Sequence, residues 1–300
     1  MRYGAPVALL ATVLMLSGCS DDPPEEPAAA VASETPEPAY DASLEPAAAV
    51  LALVPEDAQT LTVTDYDQVK LELGLVDLGA ESTPEDLQTF WDRATDERPL
   101  LSSGMLRPAE QQLKATYGFT QLDVAWEAHF FDGSDQETGW VLAFRDDMDM
   151  QAVQQAAGDG TGPLAGATVD ADLRLASSGT TSDPTQSWAA DAETVALVGL
   201  PANATYVARG CIPQDVAADV DDLDGWSVQF EGSLATARLG LERHDLFERV
   251  RLAEVEPGFT AAYEGGVADP RTGRIGFVMA DPPTAAKLAL EHQLPFATCA

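Results

Sequence analysis

Basic residues are scarce. The 300-residue chain has 16 Lys+Arg against 50 Asp+Glu, a formal charge of −34. That deficit excludes a nucleic-acid binder, because phosphate contacts need clusters of Lys and Arg. It also argues against adsorption to anionic lipid through a basic face. Histidine is rarer still: His129, His244 and His292 are scattered, and none sits in an HxH or HExxH pattern. Only three cysteines are present, with no CxxC pair. There is no GxSxG elbow and no SxxK. The glycine-rich stretch 158–166 lacks the lysine of a phosphate loop and reads as a connector. No cofactor and no resident metal is called for. What the chain does have is a 45% hydrophobic content, enough to build a core.

The first residues carry an address. Arg2 precedes an apolar run at 5–16, shorter than the ~20 residues that span a bilayer as a helix. Leu16-Ser17-Gly18-Cys19 follows, a branched apolar residue and two small ones before a cysteine. This resembles the lipobox of bacterial lipoproteins. The resemblance implies a signal peptide over 1–18, lipid attached to the Cys19 sulfur, and a protein held at the outer face of a membrane in the cell envelope.

Residues 19–46 read as the lipidated cysteine and a disordered tether. The segment after Cys19 holds six prolines, eight acids and no base. Proline stiffens such a chain and like charges extend it. The expected folded region, 47–300, carries 15 bases and 42 acids, a net −27. The acidity therefore belongs mainly to the body, as a solvated surface that keeps an exported protein soluble. Cys211 and Cys299 remain as an even pair in an exported chain and predict a disulfide.

The body reads as α+β, with mostly antiparallel sheet and helices on one face. Gln59–Asp65 alternates as a strand, and Asp65 caps a helix with Val69, Leu71 and Leu73 inward and Gly74 as its stop. Thr83-Pro84-Glu85-Asp86 starts another helix, and Pro108 a third, so residues 66–117 form a helical segment. Two β-hairpin–helix units are expected, 122–157 and 260–292, with Ala125-Trp126-Glu127 matching Ala262-Tyr263-Glu264. That suggests two similar halves, about 47–160 and 161–300. Between them, 168–176, a piece around Trp188, 194–199 and a hairpin over 226–241 read as strands, and 203–209 and 245–255 as helices. After Val54-Pro55-Glu56-Asp57-Ala58 and with these units, the body resembles a group of uncharacterised exported bacterial proteins with a similar "Pro-x-Asp" lead-in. That resemblance supplies no catalytic residues.

Three constellations bear on chemistry. Glu127 and His129 share one strand face, so a Glu/His pair is geometrically available. Asp219, Asp221, Asp222 and Asp224 before Gly225 suggest calcium, but the EF-type spacing fails at Val220; Asp132, Ser134 and Gln136 form a second oxygen-rich turn, also out of pattern. Trp126, Trp140, Trp188 and Trp226 lie in or beside expected strands, as a binding face or as core. The expectation is a non-enzymatic binding or interaction module of the envelope, taking an envelope protein partner or a small ligand. The alternatives are an envelope hydrolase with a carboxylate site and a solute-binding receptor.

Overall fold

The computed structural model describes residues 39–213 and 220–299. The expected signal peptide, Cys19, most of the expected tether and Asp219 lie outside the described residues. Short α1 (Pro46–Val50) begins the body and is capped by Glu45, whose carboxylate accepts from the Ala47 N–H. β1 (Thr60–Asp65) follows, then α2 (Tyr66–Leu73), α3 (Pro84–Glu97) and α4 (Glu110–Tyr117). The hairpin β2 (Val124–Phe131) and β3 (Glu137–Phe144) leads into α5 (Met150–Gly158) and the short hairpin β4 (Thr168–Asp170) and β5 (Leu175–Ser178). After α6 (Ala192–Ala196) comes β6 (Ala204–Arg209), then β7 (Ile212–Pro213). The hairpin β8 (Gly225–Glu231) and β9 (Leu234–Arg238) precedes α7 (Leu246–Glu254) and α8 (Pro257–Ala262). The hairpin β10 (Tyr263–Asp269) and β11 (Arg274–Met279), α9 (Pro282–Leu290) and β12 (Thr298–Cys299) complete the chain.

Ten strands form one sheet in the order β10-β11-β9-β8-β6-β1-β2-β3-β5-β4, with every pairing antiparallel. The α+β class is therefore as expected. The order is also palindromic. Each half is a central strand, then a hairpin, then a second hairpin whose later strand docks inward. β1 corresponds to β6, β2–β3 to β8–β9, and β4–β5 to β10–β11. This corrects the expected repeat. The equivalent of 122–144 is the hairpin at 225–238, and the 260–280 hairpin matches the short one at 168–178. The topological midpoint falls between Ser178 and Ala204, so a division near 160 cuts the first half before its second hairpin.

Alternation along β1 builds two layers. Leu61 and Val63 face a core with Val207, Ala128, Trp126 and Trp188. Thr60, Thr62 and Thr64 face the other way. That other face carries α2 to α5 over the first half, around Phe90, Trp91, Leu142 and Phe144. It carries α7 to α9 over the second, around Trp226, Phe230, Phe259 and Phe296. The helices are thus not confined to one face: α1 and α6 cover the opposite side of the central strands. The four tryptophans divide among the three cores and all are buried, so they do not form one binding face.

Five local expectations change. The strand expected over 168–176 is instead the short hairpin of β4 and β5. Residues 203–209 form strand β6, not a helix, and 194–199 hold the end of α6, not a strand. Trp188 lies in a 3₁₀ turn, not a strand. In α2 the buried stripe is Tyr66, Val69, Lys70 and Leu73, while Leu71 is 59% exposed. Lys70 takes the inward position because its Nζ donates to the Leu122 carbonyl at 2.9 Å and pairs with Asp67 at 2.6 Å. The body also starts earlier than residue 47. Asp41 nucleates a turn by accepting from the Ser43 N–H and hydroxyl, and Tyr40 packs on the core, so 39–46 belongs to the body and not to the tether.

Candidate functional site

The Glu/His pair read from the strand face is present, with additional partners. Glu127 is fully buried on β2, and His129 Nε2 lies 3.3 Å from its Oε1. His129 Nδ1 meets Glu137 of β3 at 3.1 Å, so the ring is held between two carboxylates. The remaining Glu127 capacity goes to the α3–α4 connection and to the turn between α4 and β2. Ser102 Oγ donates to Oε1, the Met105 N–H donates to Oε2 at 3.1 Å, and Gln121 Nε2 donates to Oε2 at 2.9 Å. Gln121 in turn accepts from the Leu106 N–H at 2.7 Å, and Thr64 accepts from the Ser102 N–H at 3.1 Å.

The electrostatics follow from that arrangement. Burial alone would raise the Glu127 carboxyl, but the hydrogen bond and charge of His129, with the Ser102 and Met105 donors, hold it below the ordinary carboxylate value. Burial would lower His129, but bonds to Glu127 and Glu137 outweigh it and push the imidazole up to about 9. At neutral pH the pair is an ionised carboxylate and an imidazolium. A general base needs a free lone pair, and His129 has none in that state. Ser102 is bonded to the carboxylate, not to the histidine, so it is not an activated nucleophile. The arrangement acts as a staple, fixing the loop before α4 to the sheet.

On the same face, Tyr206 of β6 lies with its hydroxyl 2.5 Å from His292 Nε2. Burial pushes the Tyr206 hydroxyl well up, so it keeps its proton. Glu264, expected to mirror Glu127, is exposed on an edge strand and joins no comparable network among the described residues.

The acidic turns are occupied by protein donors. The Asp221 carbonyl accepts from Arg243 and Arg249, its N–H donates to Asp245, and Arg243 reaches the Asp222 carbonyl at 3.0 Å. Two guanidiniums in that loop compete with any cation. Asp132 Oδ1 accepts from the Ser134 N–H, the Ser134 hydroxyl and the Gln136 N–H, an Asx turn in a hairpin. Cys211 and Cys299 are joined in a disulfide, Cα–Cα 5.7 Å. Asp222 lies beside their sulfurs, but bonded sulfurs are not metal ligands.

A cavity of about 480 Å³ opens where β1, β2, β3 and β5 end. Its walls include Asp65, Trp126, Arg145 and Arg174, and residues 40–46 form one side. Sequence alone does not reveal this place, because its walls come from separated segments. Asp65 is legible there only as a helix cap. Among the described residues no helix is long and apolar enough to cross a membrane.

No family model matches this chain, and no curated protein matches it. Among solved structures, crystal form I of TP0453 is similar at 7% identity and a TM-score of 0.34, covering 84% of this chain and 99% of that one. Crystal form III of TP0453 stands at 7% and 0.32, covering 82% and 98%. Likeness at that level carries no argument about what this chain does.

Proposed function

We propose that this chain is an exported lipoprotein, held at a membrane surface by lipid on Cys19, whose body is a non-enzymatic binding module of the cell envelope. The observation that carries the reading is Leu16-Ser17-Gly18-Cys19 directly after an apolar run too short to span a bilayer. The Cys211–Cys299 disulfide supports an oxidising compartment. The acidic, proline-rich stretch after Cys19 suits a spacer between anchor and body. The test is metabolic labelling with a palmitate analogue and membrane fractionation of the native chain and of Cys19→Ser. The native chain should carry label and need detergent for release. The variant should be unlabelled and soluble; a variant that still partitions with membranes overturns the anchor.

A hydrolase is the second reading, favoured by the Glu127–His129 contact. Against it stand the burial of Glu127 and the engagement of both its oxygens by protein donors. Fluorogenic ester, peptide and glycoside substrates should be turned over no faster by the native chain than by Glu127→Gln. A difference of tenfold or more would restore the enzyme.

A further inference from the structure

The cavity at the strand ends carries two guanidiniums, Arg145 and Arg174, and four carboxylates, Asp65, Asp67, Asp146 and Asp147, and of these neither Asp65 nor Arg174 forms an ion pair among the described residues. Asp65 is on its wall, at the C-terminal end of β1. Its carboxylate accepts from the Gln68 N–H at 2.8 Å, capping α2, and forms no ion pair among the described residues. The nearest lysine, Lys70, is already paired with Asp67. Burial pushes the Asp65 carboxyl up to about 6 in spite of the capping bond, as expected of a carboxylate short of a cation.

Arg174 is the complementary case. It sits at φ 59°, a left-handed conformation costing a non-glycine residue about 1–2 kcal/mol. That backbone turns the guanidinium onto the Arg145 carbonyl, with Nε at 2.9 Å, and onto the Met148 carbonyl at 2.6 Å. Both acceptors are neutral, and Arg174 makes no ion pair among the described residues. Arg145, on the same wall, donates to the Leu78 carbonyl at 2.8 Å and meets the wall acids Asp147 and Asp67 only at 3.9 and 4.0 Å. Trp126, Tyr40 and Leu44 line the same cavity. A guanidinium held only by neutral carbonyls selects a carboxylate, the unpaired Asp65 among the neighbouring wall acids selects an ammonium, and the apolar part of the wall takes a side chain.

We propose that this cavity binds a zwitterionic small molecule, a free amino acid or a short peptide, with its ammonium toward Asp65 and its carboxylate toward Arg174 and Arg145. The site rests on reading the body as a binding module but not on the lipid anchor.

Calorimetry on the full chain in detergent tests this with L-leucine and L-alanyl-L-leucine as probes. The blocked N-acetyl and C-amide forms of the dipeptide serve as controls. One equivalent of a free zwitterion should bind, and either block should weaken binding at least about tenfold, or 1.4 kcal/mol. Asp65→Asn should weaken it similarly without lowering the melting temperature, since asparagine caps a helix as well as aspartate and removes a buried charge. Arg174→Lys, which keeps the charge, should bind better than Arg174→Gln. No binding of either zwitterion at millimolar concentration, equal binding of the blocked forms, or unchanged affinity in Asp65→Asn each overturns the proposal. Membrane fractionation reads the anchor separately, so the two failures are distinguishable.

Discussion

His129 is the residue at which pH should act most clearly. Its folded pKa of about 9 lies above the ordinary 6.5 because two carboxylates grip the ring. A group raised in the folded state contributes its full stability below the unfolded pKa and loses it as pH rises through the folded one. The window is therefore pH 6.5 to about 9. The raised value corresponds to roughly 3 kcal/mol. Asp65 and Glu45 are raised too, to about 6 and about 7, through burial, and their ionisation also costs stability as pH rises. The histidine must therefore be isolated by difference. His129→Gln should be less stable than the native chain by about 3 kcal/mol at about pH 6, and that gap should close by about pH 10. Urea unfolding at both pH values measures it. A gap that stays constant would mean that the ring contributes by shape and not by charge.

At the scale of elements, turn chemistry decides where a change is tolerated. Gly273 closes the β10–β11 hairpin at φ 64°, and a Cβ there would lie 1.4 Å from the Gly240 carbonyl oxygen. Gly74 caps α2 at φ 70°, and no atom lies within 4 Å of where a methyl would stand. Gly273→Ala should thus cost more than about 3 kcal/mol, from strain and a backbone collision together, and Gly74→Ala only about 1. Thermal melts of the two variants check the ordering. The same turn and cap signals are legible in the sequence. Gly74, Thr83 and Asp281 mark helix ends as their residue types imply, and the three long hairpins fall where their turns predict. Strand β6 is not legible, because it is central and buried on both faces, so no alternation survives in Ala204–Arg209. Helix α6 reads as a strand because Thr194-Val195-Ala196-Leu197-Val198 is so rich in apolar and β-branched residues, although Asp191 caps it through the Glu193 N–H. The pair Glu127 and His129 is visible from a spacing of two. Ser102, Met105 and Gln121 are not, because the fold brings them in from connections that carry no periodicity. The repeat is legible as hairpins, but only strand order reveals which hairpin matches which.

The whole molecule is held by different means in its two halves. The first half fixes its helical insertion through the buried Glu127 staple. The second is enclosed covalently, because β8 to β11 and α7 to α9 all lie between Cys211 and Cys299. Arg249 reinforces the closure from within the core. It donates to the Phe296 and Thr298 carbonyls at 2.8 Å and pairs with Asp245 at 2.8 Å. Closing a loop across 88 residues removes about 4–5 kcal/mol of unfolded-chain entropy in the loop model. The loss should not stay local. β1 and β6 pair along their length, and Arg238 of the second half donates to the Ala196 and Val198 carbonyls, in the segment that covers the first. Opening one half therefore exposes the other. The double variant Cys211→Ser, Cys299→Ser should unfold in a single transition, with its midpoint lowered by roughly 10–15 °C for a body of this size. Calorimetry should show that one transition, and hydrogen exchange should rise in β2–β3 as well as in β8–β9. Two separated transitions, with β2–β3 protection unchanged, would show instead that the central β1–β6 pair is a junction between independent halves.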